Sequence, residues 1–96
     1  MGWSSWYIVV ATWDGRPVGF VMLRKLDEFV DLNDLAVHAD HQQRGIGHAV
    51  CAEAVQWMRE LGFTNIRGLP VSEGSRRVFA QLGFASDGVG WLLKVD

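Results

Sequence analysis

Apolar residues occupy both parities of Trp6-Tyr7-Ile8-Val9-Val10-Ala11-Thr12. A β-branched and aromatic run of this kind suits a strand covered on both faces. Asp14-Gly15 follows, the strongest short hairpin signal in the chain. The partner strand is therefore expected over residues 18–24, with Pro17 tolerated at its start. Residues 25–28 read as a polar turn. Residues 29–37 then alternate as a third strand, with Asp31, Asn33, Leu35 and Val37 on one parity. Three sequential strands with short links imply an antiparallel meander.

Past that point the period changes. Ile46, Val50, Ala54, Trp57, Met58 and Leu61 fall at helical spacing, while Glu53, Gln56 and Glu60 face water, so a helix is expected over residues 45–61. Gly62 closes it. Residues 65–71 read as a short strand, and strand, helix and strand form a right-handed parallel crossover. Pro70 cannot donate to a ladder, so pairing is expected to fail near it. Ser72 caps a second helix with Glu73 in its first turn, running to about Leu82 and closed by Gly83. Residues 84–86, an Asp87-Gly88 turn and residues 89–95 make a final hairpin. The order β-β-β-α-β-α-β-β predicts one α/β (α+β) domain over residues 1–96, with residues 1–5 a tail and a mixed sheet of about six strands.

Composition narrows the function classes. Ninety-six residues are enough for a core, and 49% of them are apolar. A net charge of −2 gives no general pull toward nucleic acid or anionic lipid, so neither is expected as a partner. The single cysteine, Cys51, cannot form an internal disulfide and falls in the helical pattern, which fits a reducing compartment. No apolar run approaches the roughly 20 residues of a membrane span, and neither end reads as a signal peptide, so a cytoplasmic location is expected.

The candidate chemistry lies where the third strand gives way to the first helix. A polar loop carries Gln42 and Gln43, and the helix opens on Gly45-Ile46-Gly47 rather than on a capping side chain. The first backbone N–H groups of such a helix lack intrahelical partners and sit at the positive end of its dipole, a ready site for a phosphate or pyrophosphate. A dinucleotide fingerprint would need glycine or alanine at Val50 and an acid after the next strand, and neither is present. A Walker loop fails for want of its Gly-Lys-Ser/Thr core. A plain structural glycine turn is the alternative. His38, His41 and His48 match no standard ligand spacing, so no metal is expected.

Gln42-Gln43-Arg44-Gly45-Ile46-Gly47 resembles the Gln/Arg-x-x-Gly-x-Gly/Ala motif of the GCN5-related N-acetyltransferase (GNAT) superfamily, and Leu35-Ala36-Val37 resembles the strand before it. Residues 14–19 are similar to the upstream hairpin, and Leu82-Gly83-Phe84 to the close of the last helix. The resemblance implies an acetyl-coenzyme A-dependent N-acetyltransferase that moves an acetyl group to a primary amine, small molecule or peptide, by direct attack. It implies that Gln42, Gln43, Arg44, Gly45, Ile46, Gly47 and His48 surround the pyrophosphate, with backbone N–H donors from Gln43 onward. It also places the pantetheine arm beside Leu35, Ala36 and Val37, where strands part near Pro70.

Two positions depart from the pattern. Ser72 stands where the family often has an asparagine on the coenzyme arm, and Phe79 where it often has the tyrosine that protonates the departing thiolate. A lost general acid typically costs about 10²–10⁴-fold in rate. Asp31 and Asp34 lie on the strand that in the family runs beside the acetyl group, and either is a candidate base. They have opposite parity, so one is expected to face the cleft, and Asp34, nearer Leu35, is favoured.

The resemblance begins at Trp6, without the first strand and two helices that most relatives carry ahead of it. Two helices must then serve the whole sheet from one face, and the opposite face is expected to be buried by a second copy of the chain. The alternative to an enzyme is an acyl-coenzyme A-binding regulatory module with little catalysis; a third reading puts the acceptor half of the site on another chain.

Overall fold

The computed structural model describes residues 5–27, 29–70, 72–86 and 90–94. The meander folds as expected: β1 (Trp6–Trp13) turns at Asp14-Gly15 into β2 (Arg16–Leu26), which turns into β3 (Phe29–Val37). Asp14 and Gly15 both take positive φ, at 51° and 76°, as a tight hairpin turn requires. The expected polar turn is shorter than the sequence suggests, because β2 keeps its partners on β3 through Lys25 and Leu26. The chain then forms α1 (Ile46–Glu60), β4 (Asn65–Gly68), α2 (Glu73–Gln81), β5 (Ala85–Ser86) and β6 (Trp91–Lys94). Strand β4 stops at Gly68 rather than running to residue 71, two residues before the proline that cannot continue it. The tail residues 1–4, Glu28, Val71, the Asp87-Gly88 turn with Val89, and residues 95–96 lie outside the described residues.

All six strands form one mixed sheet in the order β1-β2-β3-β4-β6-β5. β3 and β4 are parallel, the pair that flanks the α1 crossover, and the other neighbours are antiparallel. Both helices lie on the same face of the sheet. Val50, Cys51, Ala54, Val55 and Met58 of α1 pack with Val21, Leu23, Val30, Leu32 and Ile66 of the strands. Each such side chain contributes about 1.5–3 kcal/mol when fully buried. The buried stripe of α1 is turned slightly from the expected one. Cys51 and Val55 are inside, while Leu61 is 50% exposed. Phe79 of α2 closes the far end, stacked on Phe84 with ring centroids 4.7 Å apart. It lies so close beneath Gly68 that a Cβ there would overlap its ring.

The other face of the sheet carries no helix among the described residues. Trp6, Ile8 and Val10 of β1 are 46%, 53% and 51% exposed, so β1 is covered on one face, not on both as its composition suggests.

One irregularity decides which residues this open face presents. β2 and β3 pair Met22 with Asp34 but Leu23 with Leu32, leaving Asn33 as an extra residue in β3. Leu32 and Leu35 both point toward the helices. Asp31, opposite Arg24, and Asp34, opposite Met22, therefore share the open face. The expectation that only one of the two aspartates faces that side is corrected: the bulge cancels their difference in parity.

Candidate functional site

The β3–β4 ladder ends at the pair Leu32–Gly68, whereas β3 continues to Val37. Residues 33–37 therefore border a gap on the β4 side, held only by β2 on the other. At the strand end His38 donates its backbone N–H to the Val18 carbonyl at 2.7 Å, and a short 3-10 turn follows at Ala39–His41. Gln42 then folds back, its side-chain amide donating to the Val37 carbonyl at 3.1 Å. That bond ties the loop to the strand. Gln43 has φ 63° and Gly45 φ 79°, so two left-handed residues flank Arg44. At a non-glycine residue this conformation costs roughly 1–2 kcal/mol, which the loop must hold against.

This path sets up the start of α1. Gly45 is the N-cap, no side chain caps it, and the first turn carries no acidic residue. The first helical bond runs from the Ala49 N–H to the Gly45 carbonyl, at 2.9 Å, so the N–H groups of Ile46, Gly47 and His48 lie ahead of it with no intrahelical acceptor. Three bare donors at the positive end of a 15-residue helix are arranged as an anion would require. At Gly45 a Cβ would meet nothing within 4 Å, and at Gly47 the nearest atoms, Val37 Cγ2 and Val78 Cγ2, would lie 3.7 Å away. The backbone there is open to an approaching ligand.

The remaining candidates divide. Leu35 and Val37 turn toward the helices, and Ala36 opens onto the opposite face. Ser72 is held in a capping box: its hydroxyl accepts from the Ser75 N–H at 3.1 Å, while the Ser75 hydroxyl accepts from the Ser72 N–H at 3.1 Å. Phe79 is 2% exposed and belongs to the core. Tyr7, the only tyrosine, packs edge-on against Trp57 at 5.2 Å, about 16 Å along α1 from Ile46. Cys51 is fully buried, and burial pushes its thiol up from 9.0 to about 12, so it supplies no thiolate.

Several neighbours escape sequence reasoning altogether. On the open face Asp31 lies between Arg24 and Arg67 in the ladder. Those guanidiniums stack over Trp6 at 5.6 Å and Phe29 at 5.0 Å. Asp34 adjoins an apolar groove of about 520 Å³ lined by Ile8, Val10, Phe20, Met22 and Ala36. Past Pro17 and Val18 this runs into a more polar groove of about 590 Å³ between the β1–β2 turn and the loop, with Trp13, Asp40 and His41 in its wall. Arg44 stacks over Trp13 at 5.6 Å, and His41 Nδ1 is buried without a hydrogen-bond partner among the described residues. No periodicity could have brought these residues together, because each meeting depends on strand register. Among the described residues no His, Cys, Asp and Glu group of three is placed to hold a metal ion, and no helix is long and apolar enough to cross a membrane.

Comparison with known proteins agrees with this geometry. The acetyltransferase (GNAT) family model matches residues 2–84. No curated protein matches the chain. Among solved structures, a GNAT-family protein from Desulfovibrio desulfuricans superposes with a TM-score of 0.84 at 23% identity, over 95% of this chain and 70% of its own. The ribosomal-protein-S18-alanine N-acetyltransferase of Escherichia coli gives 0.80 at 17% identity, over 95% and 70%. The PaiA N-acetyltransferase of Thermoplasma acidophilum, solved in complex with coenzyme A, gives 0.75 at 21%, over 91% of this chain and 58% of its own. At these identities the likeness is one of fold.

Proposed function

From the premise that the chain belongs to the acetyltransferase (GNAT) family, we propose that it binds acetyl-coenzyme A at the start of α1 and passes the acetyl group to a primary amine by direct attack. The observation that carries the reading is the uncapped helix end: three unpaired N–H groups, two left-handed residues ahead of them, and room at both glycines. These fit a pyrophosphate, and the gap bordered by residues 33–37 fits an extended arm. PaiA N-acetyltransferase, similar in fold, is a coenzyme A complex, which supports the same assignment.

Bound acetyl-coenzyme A would bring a thioester, already activated toward an amine. The chain's own residues supply the rest. Backbone N–H groups of residues 46–48 would orient the coenzyme, and backbone unpaired on the β4 side of β3 would polarise the carbonyl. Asp34, exposed and next to the apolar groove, takes the proton an ammonium must lose before it can attack. Asp31 shares that face but lies in a row with Arg24 and Arg67, farther along β3 from the apolar groove. The protonated, enclosed thiol of Cys51 offers no covalent relay, which supports direct attack.

The test is release of free thiol from acetyl-coenzyme A against a panel of amines. Asp34→Asn should lower turnover by about 10²–10⁴-fold while leaving coenzyme binding intact. A fall in binding of the same size would defeat the assignment of Asp34 as base. The second reading is a regulatory module that binds acyl-coenzyme A without turning it over. It is favoured by one observation, that the usual proton-donor position holds the enclosed Phe79. Coenzyme binding with no thiol release from any amine decides for that reading.

A further inference from the structure

The loop between β3 and α1 has few bonds of its own. Gln42 is tied back to the Val37 carbonyl, and the Gly45 carbonyl accepts from Ala49. Between those ties lie Gln43 and Arg44, which make no hydrogen bond or ion pair among the described residues. Gln43 nevertheless keeps a φ of 63°, a conformation that a residue with a side chain leaves when nothing restrains it. The restraint comes from another part of the chain.

Trp13 is the last residue of β1, paired with Arg16 across the tip of the hairpin. The tight turn at Asp14-Gly15 fixes the backbone behind its ring. A bulge brings this hairpin to the loop. Ala11 pairs with Gly19 but Thr12 with Pro17, which leaves Val18 as an extra residue in β2. The Val18 carbonyl is the one that accepts the His38 N–H. Beyond that bond the Arg44 guanidinium lies over the Trp13 ring at 5.6 Å, and the His41 ring lies 5.9 Å from it. His41 meets His38 edge-on at 6.0 Å, and its enclosed Nδ1 has no hydrogen-bond partner among the described residues, so ring contacts set its place. Trp13 itself is 49% exposed and stands outside the core cluster, so its removal costs the core little.

We propose that Trp13 is a positioning residue for the coenzyme. By holding Arg44 and His41 it fixes the left-handed turn at residues 43–45, and with it the bare N–H groups of Ile46, Gly47 and His48. The inference rests on the reading of that helix end as the pyrophosphate site. Trp13 acts through the loop: it raises the share of chains already shaped to receive the ligand. The apparent dissociation constant is the intrinsic one divided by that share, so a loop correctly shaped roughly a tenth of the time binds about tenfold more weakly. Cation–π attraction is strongest for Trp and persists for Phe, whereas an aliphatic side chain has none.

Titration calorimetry with coenzyme A tests this on the full chain and on Trp13→Ala, Trp13→Leu and Trp13→Phe. Alanine and leucine should each raise the dissociation constant by about tenfold, and phenylalanine by no more than about threefold. Hydrogen exchange without ligand supplies a reading that a general loss of structure would not give. In Trp13→Ala the amides of His41 and Ala49, bonded to His38 and Gly45, should exchange about tenfold faster, while those of Val55 and Met58 within α1 keep their rates. Trp13→Leu carries both measurements if the alanine variant fails to fold. Unchanged affinity in folded Trp13→Leu overturns the proposal, as does a loss in Trp13→Phe equal to that in Trp13→Leu. Exchange that rises equally at all four amides overturns it too. A parent chain that binds no coenzyme A fails the pyrophosphate reading itself; a parent that binds, with variants that bind alike, fails this inference alone.

Discussion

Gly47 separates what the fold needs from what a ligand needs. A Cβ at this position would meet its nearest neighbours at 3.7 Å, ordinary contact, and its φ is not left-handed. Alanine is also the better helix former, by about 1 kcal/mol. Gly47→Ala should therefore keep or raise the melting temperature while weakening coenzyme A binding, measured by titration calorimetry. Unchanged affinity would show that no phosphate approaches this backbone. Cys51 makes a second prediction at the same scale. Burial raises its thiol from 9.0 to about 12, so in the folded chain it stays protonated where the unfolded chain ionises. The stability this contributes is complete below pH 9 and is lost as pH rises through the folded value. Urea midpoints measured from pH 8 to 11 should fall above 9, by up to about 1.4 kcal/mol per pH unit, and Cys51→Ala should remove that slope. Alkylating reagents should label Cys51 only after unfolding.

The two helices begin in opposite ways. α2 starts with a reciprocal capping box between Ser72 and Ser75, so orphan N–H groups there are satisfied by the chain itself. α1 starts on a left-handed glycine with no side-chain cap. Ser72→Ala should cost about 0.5–2 kcal/mol in denaturant unfolding. Because the Ser72 hydroxyl is engaged with Ser75, the effect on coenzyme affinity should be the smaller of the two. A large loss of affinity with unchanged stability would instead make Ser72 a ligand contact. The strand bulge matters at this scale too. One extra residue, Asn33, turns two aspartates of opposite parity onto one face beside an apolar groove.

For the molecule as a whole, the gap beside β3 and the bare end of α1 lie where β3, the loop and both helices meet. A ligand bound there couples to most of the core. Acetyl-coenzyme A at 100 times its dissociation constant should stabilise the native state by about 2.7 kcal/mol. In a chain of this size that corresponds to a melting-temperature rise of roughly 10 °C or more, readable by calorimetry. No shift at saturating coenzyme would remove the binding site from α1. The open face bears on the same balance. With the helices on one side only, Trp6, Ile8, Val10 and Trp13 keep apolar area in water.

Local signals determined most of the architecture. Turn chemistry at Asp14-Gly15, the change of period at Gly45, and the closures at Gly62 and Gly83 placed the elements, because each is a backbone preference carried by one or two residues. The bare start of α1 was legible for the same reason: it is made of main chain, and glycines and a missing cap report it directly. Register was not legible. Alternation along residues 29–37 cannot show an extra residue, since a bulge is defined only against the partner strand. The facing of Asp31 and Asp34, the Arg24–Asp31–Arg67 row and the Trp13–Arg44 stack all came from pairing between distant segments. Coverage was hidden as well. An apolar run says that a strand can be buried on both faces, but only the placement of α1 and α2 on one side of the sheet left the other face of β1 in water.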